Sequence, residues 1–423
     1  MKVLIVGGGG REHAIAVKIA ENPKVEKLYA APGNGGMASL CECVNIKATD
    51  VAGIVDFASA NAIDFVVVAP DDPLCLGMVD ALAAAGIRAF GPMKDAAQIE
   101  GSKVFAKNLM KKYGIPTAAY ETFEDCDKAL AYLETAKYPI VVKADGLALG
   151  KGVLICEDKQ AACEAVEGMM VGGKFGASGA RVVIEEFLTG PEVSVLAFTD
   201  GNVVRPMVSS MDHKRALDHD EGLNTGGMGT IAPNPFYTAE VAERCMREIF
   251  LPTMRAMNAE GRTFRGCLYF GLMITPDGPK VIEYNCRFGD PETQVVLPLL
   301  ESDLLTIMEA TAEGKLANVD VKFASGAACC VVLASGGYPV SYKSGYPIAG
   351  LEDAGKEAFV FHAGTKLDGG QIVTAGGRVL GVTATAGTLA EAVQKAYAAA
   401  DHISFIDLHR RSDIGQRALS ANV

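Results

Sequence analysis

VIEYNCRFGDPETQ, residues 281–294, places a polar side chain at every second position and then turns at Gly-Asp-Pro. Successive side chains of a β-strand point to opposite faces, so Glu283, Asn285 and Arg287 are predicted to share one face. The intervening residues are predicted to form the opposite, apolar face: Ile282, Tyr284, Cys286 and Phe288. Two interpretations are open at this point. The strand is either half-solvated, with its polar side facing water, or it carries a functional site.

Composition predicts a globular protein with more than one domain. The chain has 423 residues, of which 49% are hydrophobic and 21% charged, and a chain of this length is expected to form roughly three domains. The formal net charge of -12 argues against non-specific binding to nucleic acid or to anionic membranes, which requires basic patches. A negatively charged substrate would need cations or helix ends placed locally.

The sequence gives no sign of export, membrane insertion or a zinc site. The apolar stretch before the first glycines is too short for a signal peptide, and no apolar run approaches the 18 or more residues of a membrane span, so a cytoplasmic protein is expected. The eleven cysteines include no CxxC pair, and the six histidines form no HxxxH pattern. The cysteines are therefore predicted to be mostly buried, inert thiols.

The pattern of elements predicts an α/β and α+β multidomain fold. Short apolar runs alternate with helical patterns in residues 1–102, which predicts a Rossmann-like parallel sheet with ligands bound beyond the carboxyl ends of its strands. Residues 103–325 combine helices with turn-linked antiparallel strands, and about 120–188 of these are expected to form a lid subdomain. Residues 326–423 are predicted to form a small C-terminal α+β domain.

Four consecutive glycines, residues 7–10, follow the first strand and open a helix. Backbone N–H groups at a helix start bind phosphate. The GxGxxG fingerprint of dinucleotide-binding folds fails here, because its last position is Glu12. The loop is therefore either a phosphate or small-anion site or simply a tight strand-to-helix turn.

The segment KADGLALGKGV, residues 143–153, resembles a P-loop only superficially. It has three residues between Gly146 and Gly150, and it runs into a strand rather than a helix. A loop rich in glycine and lysine between two strands favours a lid that closes Lys151 and backbone amides over a polyphosphate. The alternative is an ordinary hairpin tip with a solvated lysine.

Two further segments offer polar groups to a nucleotide or substrate. RVVIEEFLTGPEVS contains Glu185, Glu186 and Glu192, which are suited to accept hydrogen bonds from ribose hydroxyls but are also typical of a solvent-facing strand edge. Residues 209–230 are polar and glycine-rich, and we expect a long irregular functional loop carrying Asp212 and Lys214.

Together these segments favour a site on residues 281–294 rather than a solvated strand. Two oxygen ligands at alternate positions, Glu283 and Asn285, suit Mg²⁺, which takes one or two protein oxygens together with phosphates and waters. Arg287 on the same face could hold a phosphoryl oxygen through its fork of donors. A lid for a polyphosphate, acidic residues for a ribose and a strand for a divalent cation together predict an ATP site.

A series of motifs runs through essentially the whole chain: GGREHA, PGN, EGSK, KADGLALGKGV, EEFLTGPEVS, DHKRALDHDEGLNTGGMG, YFGLMI, VIEYNCRFGDPETQ, HAGT, GGRVLGVTA and SDIGQRA. In order and spacing, these motifs resemble the phosphoribosylamine–glycine ligase (glycinamide ribonucleotide synthetase) family of ATP-grasp enzymes. The resemblance implies that ATP phosphorylates the glycine carboxylate and that the amine of 5-phosphoribosylamine then attacks the glycyl phosphate. The products are glycinamide ribonucleotide, ADP and phosphate, in de novo purine biosynthesis.

The resemblance also implies roles for individual residues. Glu283 and Asn285 are expected to hold Mg²⁺ or Mn²⁺. The nucleotide is expected to contact Lys103, Lys143, Gly146, Gly150, Lys151, Gly152, Glu185, Glu186, Phe187, Leu188 and Glu192. The acyl-phosphate and glycine side is implied for Arg287, Asp290, Asp212 and Lys214. The phosphoribosylamine side is implied for Gly9, Gly10, Gly33, Asn34 and Asp71. Asp71 replaces the usual Glu of its loop, which leaves its contact in doubt.

Rival functions remain open from the sequence. Another ATP-grasp ligase, such as a carboxylase of the purine or biotin type, would keep the cation strand but should not need the DHKR loop. A Rossmann oxidoreductase is disfavoured by the failed fingerprint, and a nucleotide sensor would bind ATP without turnover. The expected partners are glycine and 5-phosphoribosylamine, with no nucleic acid and no membrane. The expected form is a monomer, with transient contact to the neighbouring pathway enzyme.

Overall fold

The computed structural model describes residues 1–147, 152–172 and 176–421. The first hundred residues form the predicted parallel sheet, with strand order β3-β2-β1-β4-β5. Its strands are β1 (Lys2–Gly7), β2 (Lys27–Pro32), β3 (Glu42–Cys43), β4 (Phe65–Val68) and β5 (Ala89–Phe90). The helices of this segment are α1 (Gly10–Ala20), α2 (Val51–Ala60), α3 (Asp71–Leu76), α4 (Met78–Ala84) and α5 (Lys94–Gly101), with a 3-10 turn at Met37–Ser39.

The middle segment contains two antiparallel four-stranded sheets, as predicted. The first has the order β6-β9-β7-β8 and consists of β6 (Tyr120–Phe123), β7 (Ile140–Ala144), β8 (Val153–Cys156) and β9 (Val182–Glu186). The second has the order β11-β10-β16-β17, in which β10 is Glu192–Thr199, β11 is Val204–Pro206, β16 is Gly266–Thr275 and β17 is Gly278–Asn285. The cavity described below lies between these two sheets.

The middle segment also contains helices, some of which pack on these sheets. The helices are α6 (Lys103–Tyr113), α7 (Cys126–Leu133), α8 (Lys159–Met170), α9 (Ala239–Cys245), α10 (Leu251–Ala259), α11 (Thr293–Val296) and α12 (Leu304–Ala312). A π-turn at Met246–Phe250 joins α9 to α10, and 3-10 turns occupy Gly176–Ala180, Leu297–Leu299 and Leu316–Asn318. A serine and a glycine mark the two ends of α6. The Ser102 side chain accepts from Phe105 N at the start, and Gly114 ends the helix with a left-handed φ of 67°.

The C-terminal sheet draws strands from two predicted domains. Its order is β12-β15-β18-β22-β19, with β23 also paired to β18. Strands β12 (Met211–Asp212) and β15 (Gly229–Ala232) come from the middle segment, and β15 pairs with β18 (Ala327–Ser335). The other elements are α13 (Leu351–Glu357), β19 (Phe359–His362), β20 (Thr365–Asp368), β21 (Gln371–Thr374), β22 (Arg378–Ala386), α14 (Leu389–Asp401), β23 (Leu408–His409) and α15 (Gln416–Leu419).

The face prediction for β17 is wrong at one position. A β-bulge shifts the register between β16 and β17, so that Gly271 pairs with Glu283 and Leu272 with Val281. The extra residue, Ile282, is only partly buried and lines the cavity instead of the core. From Glu283 onwards the predicted alternation holds, because Tyr284, Cys286 and Phe288 are all buried.

The long irregular loop predicted for residues 209–230 is also wrong. This segment contains a hairpin of β13 (Arg215–Leu217) and β14 (Glu221–Asn224), joined by a 3-10 turn at Asp218–Asp220. Strand β14 is exposed throughout and β13 has only three residues, of which Ala216 is buried, so the apolar alternation that marks a half-buried strand is missing.

The cysteines are free thiols, and most are buried as predicted, although Cys43 is exposed. Within the ranges that the structure describes, none of the helices combines the length and apolarity needed to cross a membrane.

Candidate active site

A cavity of about 1150 Å³ lies where the three segments of the chain meet. The first segment contributes Asp71 and Glu100, and the C-terminal segment contributes Tyr338 and Arg378. The middle segment lines most of the wall, including Glu283, Asn285, Arg287, Asp290, Asp212, Lys214, Lys103, Lys143, Gly146, Gly152, Glu185, Glu186, Phe187, Leu188 and Glu192. The residues predicted for the nucleotide, the cation and the acyl phosphate therefore share one cavity. Gly150 and Lys151 lie outside the described residues.

Glu283 and Asn285 offer oxygen ligands from one side of β17. Gly271 stands opposite Glu283, and a Cβ there would lie 3.0 Å from Glu283 Cγ, so glycine leaves room for the carboxylate side chain. Asn285 donates through Nδ2 to the Tyr284 carbonyl over 3.1 Å, which leaves its Oδ1 as the oxygen available to a cation. A carboxylate and an amide oxygen fit the donor preference of Mg²⁺. The described part of the chain contains no group of three or more His, Cys, Asp or Glu side chains arranged for a metal.

Arg287 is held by two carboxylates. Its Nη2 donates to Glu100 Oε1 over 3.0 Å and lies 4.0 Å from Asp71 Oδ2. Burial alone would raise the pKa of Asp71, but the guanidiniums of Arg287 and Arg11 hold it below its usual value. Because Asp71 reaches Arg287 only at the limit of an ion pair, Glu100 is the nearer anchor.

A buried polar chain runs from Ser194 to Glu292. The Ser194 and Tyr269 hydroxyls are 2.7 Å apart, and the Tyr269 hydroxyl donates to Glu292 Oε1 over 3.2 Å. Burial is the main cause that raises the pKa of both Asp212 and Glu292, and the charge of Glu292 adds to the effect on Asp212. A cation entering beside these carboxyls would favour their ionised forms.

Lys214 and Glu192 form an ion pair, with Lys214 Nζ 2.9 Å from Glu192 Oε2. The pKa of Glu192 is lowered mainly by Lys214, and the pKa of Lys214 is raised mainly by Glu192. The predicted ribose ligand and a predicted acyl-phosphate residue are therefore in direct contact, which the sequence did not indicate.

Glu185 is a buried anion between two lysines. Lys143 and Lys107 both contact its carboxylate closely, and Lys143 also donates to the Ile282 carbonyl over 3.2 Å. Burial would raise the pKa of Glu185, but the two ammonium groups lower it. Burial lowers the pKa of Lys107 to about 8, against the attraction of Glu185. Lys107 is a cavity residue that the sequence analysis missed.

Lys103 lies at the base of the predicted lid. Its Nζ donates to the Gly146 carbonyl over 2.7 Å. The hydroxyl of the preceding residue, Ser102, donates to Asp145 Oδ1 over 3.0 Å. The junction between α5 and α6 therefore bonds to Asp145 and Gly146, in the loop that is predicted to close over the polyphosphate.

The residues predicted for phosphoribosylamine do not line this cavity, with the exception of Asp71. Gly9 N donates to Glu12 Oε2 over 2.6 Å, and the Gly10 Cα faces the Gln294 side chain. Gly33 has a φ of 72°, which favours glycine. The Asn34 side chain bonds to the carbonyls of Gly8 and His362 and accepts from two backbone amides, so its polar atoms hold the fold. A substrate role for these four residues remains a prediction.

Asp290 is bound from three directions. Its carboxylate accepts from Arg11 N over 3.2 Å and from Gln294 Nε2 over 2.9 Å, and it lies 3.4 Å from Arg378 Nη1. Arg378 also donates to the Gly226 and Asp290 carbonyls over 2.7 and 2.8 Å. It comes from GGRVLGVTA, a motif that the sequence analysis quoted without giving any of its residues a role.

The three parts of the chain match three family models. They are described as the phosphoribosylglycinamide synthetase N domain at residues 1–100, the ATP-grasp (A) domain at 101–293 and the C domain at 328–417. Curated proteins named phosphoribosylamine–glycine ligase are similar over the full length. Those of Allochromatium vinosum and Vibrio cholerae are each 51% identical, and each alignment covers 99% of both chains.

Solved structures agree with this fold. The crystal structure of phosphoribosylamine–glycine ligase from Thermotoga maritima is 35% identical, with a TM-score of 0.87, and the match covers 98% of this chain and 100% of that one. A biotin carboxylase from Campylobacter jejuni has a TM-score of 0.76 at 15% identity, covering 97% of this chain and 92% of that one. The latter likeness concerns the fold alone.

Proposed function

The chain belongs to the phosphoribosylamine–glycine ligase family, and from this premise we propose how its cavity performs the reaction. The protein is an ATP-dependent ligase that joins glycine to 5-phosphoribosylamine. The glycine carboxylate attacks the γ-phosphorus of ATP, which releases ADP and forms glycyl phosphate. The amine then attacks the acyl carbon, phosphate leaves, and one amine proton is lost.

Catalysis in this proposal is positioning combined with charge neutralisation, without a covalent enzyme intermediate. Lys103, Lys143 and Gly146 bind the ATP phosphates, together with Gly150, Lys151 and Gly152 of the lid. Glu185 to Leu188 line the adenine, and Glu192 accepts from the ribose. The assignment of the nucleotide end of the site is supported by the ion pair between Lys143 and Glu185, which both line the cavity.

Glu283 and Asn285 would hold Mg²⁺ or Mn²⁺. The cation would neutralise the charge on the phosphate oxygens of ATP when bound. Arg287 and Lys214 orient the transferred phosphoryl group, and Asp212 and Asp290 form the glycine side. The single observation that carries the proposal is that oxygen donors, lysines and an arginine converge on one cavity in a chain whose relatives are ligases.

We assign the phosphoribosylamine side to Gly9, Gly10, Gly33 and Asn34 together with Asp71. The proposed division is a substrate domain at 1–102, an ATP-grasp domain at 103–325 with a lid subdomain at about 120–188, and a C-terminal domain at 326–423. We also propose that the enzyme acts as a monomer in the cytoplasm, in transient contact with the neighbouring pathway enzyme. Light scattering of the purified protein tests the oligomeric state.

A coupled assay of ADP release tests the function. With Mg²⁺, ATP, glycine and freshly made 5-phosphoribosylamine, we expect ADP to appear, and omission of glycine or of the amine should each abolish its release. A rival carboxylase would instead release ADP in response to bicarbonate without glycine. ATP binding without turnover under all these conditions would indicate a sensor and contradict the proposal.

A further inference from the structure

We propose that Glu100 is a positioning residue that fixes the Arg287 guanidinium and the end of β17 for the ligase reaction. The proposal rests on the proposed function, and it assigns Glu100 no contact with a substrate. It concerns one buried carboxylate that joins the first segment of the chain to the proposed acyl-phosphate site.

Glu100 lies in the last turn of α5, and its side chain is only 7% exposed. Its Oε2 accepts from Cys286 N over 2.7 Å, and its Oε1 accepts from Arg287 Nη2 over 3.0 Å. These two residues directly follow Asn285, the last residue of β17. One side chain therefore holds both the backbone beyond the proposed cation ligands and the neighbouring guanidinium.

Glu100 is the strongest polar partner of Arg287. The contact from Arg287 Nη2 to Asp71 is 4.0 Å, and the bond from Nη1 to the Phe288 carbonyl is long at 3.4 Å. Arg287 Nε is buried and has no hydrogen-bond partner among the described residues. An arginine side chain loses rotamer entropy on being fixed, and the charge-assisted bond to Glu100 offsets that cost.

The surroundings of Glu100 make its position stiff. Within the next four residues, Ser102 bonds to Asp145 and Lys103 bonds to Gly146, while Val104 N donates to Asp145 Oδ1 over 3.1 Å. The α5–α6 junction is thus tied both to the chain beside the lid and to the residues after β17. Loss of the Glu100 carboxylate should free the Arg287 guanidinium. The bonds from residues 102–104 to Asp145 and Gly146, beside the proposed nucleotide site, should remain.

Glu100→Gln is the main test, because glutamine keeps the length and an oxygen acceptor for Cys286 N but removes the charge that holds Arg287. We expect kcat/KM for glycine to fall by about 10- to 100-fold, the loss typical when an outer partner of a site residue is removed. The KM for ATP should stay unchanged. Glu100→Asp, which keeps the charge on a shorter side chain, should recover part of the activity.

Asp200→Asn is the matched control. Asp200 is another buried carboxylate, but among the described residues its hydrogen-bond donors are the backbone amides of Asn202, Val203 and Leu316. This variant should lower the melting temperature and leave both kinetic constants unchanged. If Glu100→Gln fails to fold, Glu100→Asp carries the test, because a longer gap to Arg287 should still lower kcat/KM for glycine.

A double-mutant cycle separates positioning from general support of the fold. In an Arg287→Met background, Glu100→Gln should cause no further loss of kcat/KM, because the group that it positions is gone. Fully additive losses, or wild-type kinetics in both Glu100 variants, would overturn the inference alone. Wild-type protein that releases no ADP with glycine and 5-phosphoribosylamine would overturn the proposed function and this inference together.

Discussion

Lys214 donates to Glu192 over 2.9 Å, which links the side chain proposed for the acyl phosphate to the one proposed for the ribose. The Glu192 side chain is 51% exposed and that of Lys214 is 38% exposed. Solvent and salt therefore screen the pair, and a ribose hydroxyl has access to the same carboxylate.

Glu192→Gln should weaken ATP binding. A hydrogen bond to a charged group contributes about 1.5–3 kcal/mol, so kcat/KM for ATP should fall roughly 10- to 100-fold. Initial rates at varied ATP and saturating glycine measure this change. Adding Lys214→Met should cost less than the sum of the two single losses, because the residues contact each other. An unchanged KM for ATP in Glu192→Gln would contradict the ribose assignment.

Glu283→Gln should lower turnover at least about 10²- to 10³-fold, the loss expected on removing one group that stabilises transition-state charge. The rate of ADP release at saturating Mg²⁺ measures it. Glu121→Gln is the control, because Glu121 is exposed and lies outside the cavity lining. Near-normal turnover of Glu283→Gln at high Mg²⁺ would remove the metal assignment.

Gly227→Ala should impair catalysis by displacing Asp212. A Cβ at this position would lie 2.5 Å from Asp212 Oδ1 and 2.5 Å from Pro291 Cδ. A shift of about 1 Å in a site can cost about 10²-fold in rate, so we expect at least a roughly tenfold loss in kcat. Steady-state kinetics measure it.

Gly86→Ala is the control for backbone strain. Gly227 has a φ of 114° and Gly86 a φ of 74°, and both values favour glycine. A Cβ added at Gly86, however, would meet nothing within 4 Å. Its cost should be about 1–2 kcal/mol of stability, because a residue with a Cβ is strained in this conformation, without loss of kcat. Equal kcat losses in the two variants would show that the collision with Asp212 is irrelevant.

Stability should decrease as the pH falls below about 6.5. Burial, followed by repulsion from His362, lowers the pKa of His13 to about 3, whereas an unfolded histidine titrates near 6.5. The unfolded state therefore binds more protons between these values, and acid favours unfolding. At pH 5 this histidine alone should cost about 2 kcal/mol of unfolding free energy relative to pH 7.5.

His13→Asn tests this dependence. His13 Nδ1 accepts from His362 N over 2.8 Å, and the asparagine oxygen can take that bond without titrating. Melting temperatures between pH 7.5 and pH 5 should fall less steeply in this variant. The exposed His402 provides the control, because His402→Gln should retain the wild-type slope. Identical slopes for His13→Asn and the wild type would refute the assignment.

Patterns that repeat along the chain were sufficient to predict most elements. The two-residue period indicated the shared face of Glu283 and Asn285, and the alternation of apolar runs with helical patterns indicated the parallel sheet of the first segment. The bulge at Ile282 escaped prediction, because an extra residue in one strand is defined only by its partner strand. The hairpin after Lys214 escaped prediction because both of its strands are short and lack apolar alternation.

Many residues of the site were predicted, but the contacts that join distant segments were not. Glu100 and Arg287 are 187 positions apart, and Arg378 lies 88 positions from Asp290. Contacts of this kind are created by packing between segments, and no local spacing indicates them. Lys107 falls one helical turn after Lys103, and that spacing was a usable signal for a second lysine on the same face.

Strand β15 hydrogen-bonds to β18 across the boundary predicted near residue 326, with Gly229 opposite Val331 and Ala232 opposite Ala328. A recombination event that separated the chain there would leave an unpaired strand edge on each fragment, and such edges readily pair with other chains. Exchange of modules between relatives should therefore tolerate a breakpoint near residue 326 poorly.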